Sequence, residues 1–384
     1  MKVAHIINRI DGNGVTKAVF NLCQELGSRG IESEIIVAKP TDILPPEGVK
    51  ISSLNSKGLL NNNNKKTDLV RRIAKYSVGG LVFYKLKAKR KSAELEQLLL
   101  EKDIDVAFLH CHYSKVLYSQ VSQMPCYMVL HNKKSLQLKA KWWLPSKVNM
   151  MVMARSIKNR PKLAVSKSVK NDIRRRLKVT DNMIEVIPNI IDAEDIRLKA
   201  GEQLLPLALQ LQPNNYLIAV GRLDKQKRFD RLLRAYAQAK VTQPLVIAGE
   251  GRLRKRLERL AYVLNISDKV HFVGHVSNPY PLIQQAKALL LTSDYEGLPT
   301  VLIEALLLNT PVIATACSGV REAVRGAVGA TIVPIRNMPC LVAAIVSTCQ
   351  QEHVLVHSQE MEKCFAKEQV AERYLHLVKN VKAR

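Results

Sequence analysis

Short apolar stretches alternate with longer amphipathic stretches from the start of the chain. The first apolar stretch, "KVAHIIN", has the pattern of a strand, "GVTKAVFNLCQELGSRG" has that of a helix ending at Gly30, and "ESEIIVAK" has that of the next strand. The same alternation continues as far as "MIEVIPN". Repeated strand and helix patterns predict a parallel sheet flanked by helices.

The alternation stops over residues 190–215 and then resumes with "YLIAVGRL". The interrupting segment lacks a strand pattern and ends in turn-forming residues, which is typical of a domain boundary. At 384 residues the chain also exceeds the size at which one hydrophobic core keeps growing. We therefore predict two α/β domains, over residues 1–195 and 196–366, each a Rossmann-like, doubly wound parallel sheet.

Charge adds a possible partner to this picture. The chain has 59 Lys and Arg against 33 Asp and Glu, a net charge of +26 that attracts anionic partners. Residues 106–171 contain 12 basic and no acidic residues, and residues 65–91 contain ten basic residues and one Asp. Apolar and aromatic residues, including Trp142 and Trp143, are interleaved with these charges. Two interpretations stay open: a solvated basic surface, or a surface that binds anionic lipid.

Cysteine usage and hydropathy indicate a compartment. The seven cysteines include no CxxC pair and lie mostly in apolar runs, which predicts reduced, buried thiols in the cytosol. No apolar stretch reaches the ~18 residues of a membrane span, and the N-terminal residues lack a signal-peptide pattern. We expect a cytoplasmic protein that is neither secreted nor membrane-spanning.

Candidate chemistry lies in the loops that follow strands, where parallel sheets bind ligands. Gly12 and Gly14 precede the first helix, so their backbone N–H groups could bind an anion or only form a tight turn. Arg222 and Lys227 follow the strand of "YLIAVG". Their side chains could hold a diphosphate, or belong to a solvated charged loop.

The stretch "SDYEGLPTVLIEALLLNTPVIAT" contains two carboxylates eight positions apart. A helix is predicted to start near Pro299 and Thr300, which leaves Glu296 in the loop and Glu304 in the second helical turn. In a continuous helix the two would be ~12 Å apart, beyond the ~5 to 9.5 Å of a glycoside hydrolase pair. A nucleotide-sugar fits better, because its two sugar rings are separated by a diphosphate that the helix start can bind.

Together these motifs resemble glycosyltransferase family 4, a group of retaining enzymes that includes bacterial lipopolysaccharide core and capsule glycosyltransferases. The most specific resemblance is Glu, seven residues, Glu in "EGLPTVLIE", followed by "EALLLNTPVIAT". The resemblance implies the GT-B fold, in which two Rossmann-like domains face a cleft, the first binding the acceptor and the second the donor. It also implies a terminal helix, at about residues 367–384, that packs back on the first domain. This chain departs from the family at three turns. It has "GNG" where the family commonly has paired glycines, it lacks the usual glycine after Asn189, and it has Asn309 where glycine is frequent.

The resemblance implies roles for individual residues. Gly14 would offer its backbone to the donor diphosphate, which Arg222 and Lys227 would hold. Glu296 and His131 would face the transferred sugar near the reacting centre. Glu304 and the helix start would complete the donor site, with the helix start formed by Leu298, Pro299, Thr300 and Val301.

His110 and His112 resemble a metal-binding pair, but no third ligand matches them. The resemblance implies neither a metal nor a cofactor, since the nucleotide-sugar is a substrate.

The expected activity is retaining transfer of a sugar from a nucleotide-sugar to a glycan or glycolipid such as lipopolysaccharide core. UDP is the commonest carrier in the family, and a peripheral position at the inner face of the cytoplasmic membrane is implied. Two alternatives remain. One is a sugar-binding or epimerase relative of the same fold. The other is a nucleic-acid-binding protein, which the pI near 9.8 alone suggests; the sequence contains no recognisable nucleic-acid-binding module, so no nucleic acid partner is expected.

Overall fold

The chain divides into two compact units. The first comprises Met1–Ile190 with Lys367–Arg384, and the second comprises Ile191–Ala366. The structure, a computed structural model, describes residues 1–10, 14–39, 43–54, 78–110, 121–132, 158–202 and 211–382.

The first unit contains a seven-stranded parallel sheet in the order β3-β2-β1-β4-β5-β6-β7. The chain changes direction across the sheet between β1 and β4, which makes the end of these strands a topological switch point. The strands are β1 (Lys2–Ile7), β2 (Glu32–Val37), β3 (Lys50–Ser53), β4 (Val106–Leu109), β5 (Cys126–Leu130), β6 (Lys162–Ala164) and β7 (Ile184–Val186). Among the described residues that precede the second unit, the helices are α1 (Gly14–Ser28), α2 (Val78–Glu101) and α3 (Lys167–Leu177).

The second unit repeats this topology with six parallel strands in the order β10-β9-β8-β11-β12-β13. Its switch point lies between β8 and β11. The strands are β8 (Leu217–Val220), β9 (Leu245–Ala248), β10 (Val270–Gly274), β11 (Ala288–Leu291), β12 (Val312–Thr315) and β13 (Ala330–Val333). The helices are α4 (Ala193–Ala200), α5 (Phe229–Ala239), α6 (Arg254–Val263), α7 (Tyr280–Gln284), α8 (Thr300–Leu307), α9 (Val320–Ala323), α10 (Met338–Gln350) and α11 (Gln359–Phe365).

The sheet of the second unit is covered by helices, so its strands are continuous apolar runs rather than alternating ones. Leu217, Leu245 and Ile313 pack in one buried cluster with residues of α5 and α10, including Leu232 and Leu341. The doubly wound α/β architecture predicted from the apolar pattern is confirmed in both units. The predicted limit at residue 195 falls inside α4, which belongs to the second unit.

The last helix, α12 (Lys367–Lys382), follows the second unit in sequence but belongs to the first. Its residues Val370, Tyr374 and Val378 are buried in the cluster that contains β1, β4 and α1 residues. The ring of Tyr374 meets that of Phe108 edge to face, with centroids 5.4 Å apart. The chain therefore crosses from the first unit to the second and returns.

Two further expectations concern cysteines and membrane spans. Cys23, Cys126 and Cys317 are buried free thiols, whereas Cys340 and Cys364 are exposed, so the prediction of buried thiols is wrong for these two. Both lie on the outer faces of amphipathic helices, where an apolar neighbourhood in sequence does not mean burial. In the part of the chain that the structure describes, every helix is too short or too polar to cross a membrane.

Candidate functional site

The loops after β8 and β11 meet at the switch point of the second unit. The Nζ atom of Lys227 lies 2.9 Å from Oε1 of Glu296, and Oγ of Ser293 donates to the same oxygen at 2.6 Å. Nε2 of Gln226 lies 3.4 Å from the other carboxylate oxygen. The side chains of Lys227 and Glu296 are 20% and 8% exposed. The structure thus brings together two residues that the sequence predicted separately.

Hydrogen bonds behind this pair fix the two loops to each other. Oγ1 of Thr292 donates to the backbone carbonyls of Lys227 and Arg228 at 3.2 and 3.1 Å. The guanidinium of Arg231 donates to the carbonyl of Thr292 at 2.8 Å and to Asp294 at 2.6 Å. Because Thr292, Arg231 and Asp294 lie on or beside rigid elements, the position of Lys227 relative to β11 is determined by packing rather than by the loop alone.

Arg222 is held on the same loop by Asp224. Its Nε lies 2.8 Å from Oδ2 of Asp224, and the guanidinium is 71% exposed. Oδ1 of Asp224 accepts from the backbone N–H groups of Gln226 and Lys227 at 2.9 and 3.2 Å. This Asx-type turn directs Lys227 inwards and leaves Arg222 open to solvent, where it can contact a ligand.

A third loop, after β12, closes on the backbone next to Glu296. Oγ of Ser318 donates to the carbonyl of Glu296 at 2.9 Å. Gly319 has φ +81°, and a Cβ there would lie 2.4 Å from the carbonyl oxygen of Gly297, so only glycine fits. Burial, with a contribution from Glu296, raises the pKa of the Cys317 thiol to about 12. That thiol stays protonated at neutral pH and offers no nucleophile.

Helix α8 places the second carboxylate. The helix begins at Thr300, so Glu296 lies in the loop and Glu304 in the second turn, as predicted. Glu304 is 8% exposed. Leu298 is buried, and Thr300 and Val301 are partly exposed beside Pro299 at the helix start. The departure at Asn309 is explained by its φ of +57°, since asparagine tolerates the left-handed conformation better than other residues with a side chain.

His131 belongs to the first unit, where it follows β5 and is partly exposed. Its Nε2 lies 2.9 Å from Nδ1 of His110, and Nε2 of His110 lies 3.1 Å from Nδ1 of His5. Both His110 and His131 line a small pocket together with Asn189, Tyr374 and apolar residues of α1. The structure therefore shows His110 in a chain of imidazoles.

Gly14 is the first residue of α1 and is exposed; a Cβ there would meet no atom within 4 Å. A backbone N–H at the start of a helix is the kind of group that binds an anion. Some sequence-predicted features lie outside the described residues: Gly12, His112, Trp142, Trp143 and residues 65–77.

Sequence reasoning missed Gln226, Ser293 and Ser318. Ser293 and Ser318 each follow a strand of the second sheet, and β11 and β12 are neighbours in it. Strand order is the signal that would have found them, because it determines which loops are adjacent.

Two family models match the chain. The model for Glycosyltransferase Family 4 matches residues 12–195, and the model for Glycosyl transferases group 1 matches residues 209–363. The second match includes Lys227, Glu296 and the residues that contact them, Gln226 and Ser293.

Curated relatives match part of the chain. One is the N-acetylgalactosamine-N,N'-diacetylbacillosaminyl-diphospho-undecaprenol 4-alpha-N-acetylgalactosaminyltransferase of Campylobacter jejuni, 37% identical over 158 residues, which are 41% of this chain and 42% of the relative. Another is the lipopolysaccharide 1,6-galactosyltransferase of Escherichia coli, 33% identical over 161 residues, 40% of this chain and 42% of the relative. The chain spans about two fifths of the length of these relatives.

Among solved structures, the chain is similar to Anabaena HepE in complex with UDP and glucose. The TM-score is 0.71 at 15% identity, covering 99% of this chain and 100% of that chain. A likeness at this identity shows the fold, and the predicted GT-B class is confirmed.

Proposed function

The chain belongs to the glycosyltransferase families whose models match its two halves, and we propose that it transfers a sugar from a nucleotide-sugar to a glycan or glycolipid, with retention. The observation that carries the proposal is the contact of Lys227 with Glu296 at the switch point of the second sheet. Ligands of doubly wound sheets bind at this position. Lys227 supplies a positive charge for the diphosphate. Glu296 supplies a negative charge for the sugar ring, which becomes positively charged as the bond to the diphosphate breaks.

The donor diphosphate would lie between Lys227, Arg222 and the start of α8. The ammonium of Lys227 acts as a point charge, and the exposed guanidinium of Arg222 can donate two parallel hydrogen bonds. The first turn of α8 adds backbone N–H groups and the positive end of the helix dipole. Glu304, one turn further along the helix, would accept hydrogen bonds from the ribose hydroxyls.

In the reaction, the bond from the anomeric carbon to the diphosphate oxygen breaks, and the acceptor hydroxyl oxygen bonds to that carbon on the same face. The hydroxyl proton passes to the departing phosphate oxygen. Lys227 and Arg222 would stabilise the negative charge that grows on the diphosphate, and the carboxylate of Glu296 would stabilise the positive charge on the sugar ring. No side chain is assigned as a covalent nucleophile.

For the donor we propose a UDP-hexose or UDP-N-acetylhexosamine. The support is that the relatives are named as an N-acetylgalactosaminyltransferase and a galactosyltransferase, and that the HepE structure is a complex with UDP and glucose. Donor identity is testable directly. Purified protein is incubated with each UDP-sugar and a truncated lipopolysaccharide or a lipid diphosphate glycan, and the products are analysed by mass spectrometry and by NMR of the new anomeric centre.

The proposal predicts a glycoside that keeps the donor's anomeric configuration and that Lys227→Ala fails to form. An inverted glycoside would contradict retention. An epimerised nucleotide-sugar without a glycoside would support the epimerase alternative instead.

We also propose a lipid-linked acceptor, reached by a protein bound peripherally to the inner face of the membrane. The names of the relatives refer to undecaprenol diphosphate and lipopolysaccharide, and the net charge of +26 favours an anionic surface. Each Lys or Arg near such a surface contributes about 1 kcal/mol. Co-sedimentation should therefore show binding to anionic vesicles that high salt reverses and no binding to neutral ones; binding insensitive to salt would contradict it.

A further inference from the structure

Helix α6 of the second unit has an outer face made of basic and apolar side chains. With the residues before it, the helix reads "EGRLRKRLERLAYV" over 250–263. Its inner side belongs to the core of the unit, where Leu257 and Ala261 are buried and Leu260 packs against the same cluster. The exposed residues of the helix are Lys255, Arg256, Arg259, Tyr262 and Val263, which we call the α6 face.

The residues of the α6 face point to one side of the helix. At 3.6 residues per turn they lie within an arc of roughly 120°, and they extend along roughly 12 Å of the helix axis. The three cations occupy the first part of this stretch. Tyr262 and Val263, which are 75% and 68% exposed, form its end. A compact basic surface therefore borders two large apolar side chains that the fold leaves in solvent.

The carboxylates next to the α6 face are already paired with another residue. Glu250 and Glu258 both form ion pairs with Arg254. Arg254 also donates to the backbone carbonyl of Phe272 in β10 at 2.9 Å, which fixes the start of the helix to the sheet. In the part of the chain that the structure describes, the three cations of the α6 face form no ion pair. Protein surfaces ordinarily mix both signs of charge, whereas this face has only one.

Both parts of the α6 face complement an anionic lipid surface. Three cations on a rigid helix match the phosphates of lipid headgroups. Tyrosine is favoured where a membrane meets water, because its ring is apolar and its hydroxyl group is polar. Cations alone would suit any polyanion, but Tyr262 and Val263 gain contact area only from a partner that also offers an apolar layer. A lipid surface offers both.

We propose that the α6 face binds the second unit to an anionic membrane surface, with its three cations against headgroup phosphates and with Tyr262 and Val263 at the edge of the acyl chains. The inference rests on the proposed function, in which the acceptor is linked to a lipid. Because the leucines of α6 pack in the core, the helix lies on the membrane and does not insert into it. This surface is separate from the basic segments 65–91 and 106–171 that the sequence indicated.

Two double variants of equal charge test where the membrane binds. Lys255→Gln with Arg259→Gln removes two charges from the α6 face, whereas Arg325→Gln with Arg336→Gln removes two exposed charges on either side of β13, the opposite edge strand of the second sheet. Binding is measured by co-sedimentation with vesicles of phosphatidylglycerol and phosphatidylethanolamine. Each cation lost from the face should weaken binding about fivefold, and the first variant therefore about 25-fold. The second should bind nearly like the wild type, and equal losses would overturn the proposal.

A third variant separates a membrane from a soluble polyanion. Tyr262→Ser with Val263→Ser keeps every charge of the α6 face and removes its apolar end. It should bind the anionic vesicles severalfold more weakly than the wild type and bind heparin, a soluble polyanion, equally well. Vesicle binding equal to that of the wild type, or binding of heparin without binding of vesicles, would overturn the proposal and indicate a soluble polyanion as the partner.

Nucleotide binding and sugar transfer distinguish this inference from the proposed function. The three variants should keep the UDP affinity and the unfolding midpoint of the wild type, because the changed side chains are exposed and lie outside the donor site. Vesicle binding that depends on the α6 face, in a protein that transfers no sugar, would support this inference and contradict the proposed function. Sugar transfer to a lipid-free acceptor by a wild type that binds no anionic vesicles would overturn this inference and support the transferase.

Discussion

Lys227 and Glu296 are 69 positions apart in sequence, yet the ammonium of one lies 2.9 Å from the carboxylate of the other. The pair connects the loops that follow β8 and β11, the two neighbouring strands between which the strand order of the second sheet reverses. Removing one partner of a largely buried pair leaves the other charge without compensation. In the proposed function the same ammonium also binds the donor diphosphate, so the pair links loop geometry to donor binding.

Lys227→Ala should weaken UDP binding by about 1.5 to 3 kcal/mol, the range for a hydrogen bond to a charged group. Titration calorimetry measures this directly. Lys225→Ala is the matched control, because Lys225 is on the same loop and exposed, and it should bind UDP like the wild type. Equal losses in the two variants would indicate a general charge effect instead.

Replacing each carboxylate by its amide should separate their roles. Glu296→Gln should lower kcat by roughly 10²- to 10³-fold, as for loss of one electrostatic stabiliser of a transition state, with UDP affinity nearly retained. Glu304→Gln should weaken UDP binding and affect kcat less. Steady-state kinetics and calorimetry on both variants test these outcomes. A loss of UDP affinity in Glu296→Gln together with a loss of kcat in Glu304→Gln would contradict the roles given to the two carboxylates.

Gly319→Ala should destabilise the second unit. The new methyl group would meet the Gly297 carbonyl at 2.4 Å, and φ is +81°. A cost of ~2 kcal/mol or more corresponds to a fall of roughly 4 °C or more in the unfolding midpoint. Gly27→Ala is the control: it lies in α1 with no atom within 4 Å of a Cβ, so helix propensity should make it neutral or slightly stabilising. Equal midpoints would contradict the steric argument.

His5 should make the stability of the first unit depend on pH. Burial lowers the pKa of His5 from 6.5 to about 3, so between these values the unfolded chain binds one proton more than the folded chain. The contribution is complete above pH 6.5 and falls by up to about 1.4 kcal/mol per pH unit below it. Thermal unfolding from pH 7 to pH 5 should show a steeper decline for the wild type than for His5→Leu. Parallel declines would contradict this assignment.

The sequence predicted what depends on local pattern. Most strands of both units, the start of α8 and the loop positions of Lys227 and Glu296 follow from apolar periodicity and turn residues, whereas β3 and β13 were not predicted. Helix α4 was not predicted, because it lies in a weakly patterned segment; Oδ1 of Asp192 caps its first turn by accepting from Asp195 at 3.0 Å.

The contacts between loops could not be predicted from local pattern. Ser293 and Gln226 reach Glu296, and His5 reaches His110, because the order of strands in each sheet makes their loops or neighbouring positions adjacent. Apolar periodicity identifies a strand but contains no information on its neighbours. For this reason the sequence shows His110 only as half of a possible metal pair, whereas in the structure it contacts the imidazoles of His5 and His131.

Titration calorimetry of UDP, GDP and ADP against the wild type and Glu304→Ala tests most directly whether the second unit holds a nucleotide-sugar. The account predicts submillimolar binding of one nucleoside diphosphate, with UDP preferred, and about tenfold weaker binding to Glu304→Ala, in line with a lost charged hydrogen bond. Failure of all three nucleotides to bind below millimolar concentration, or equal binding to wild type and variant, would contradict it.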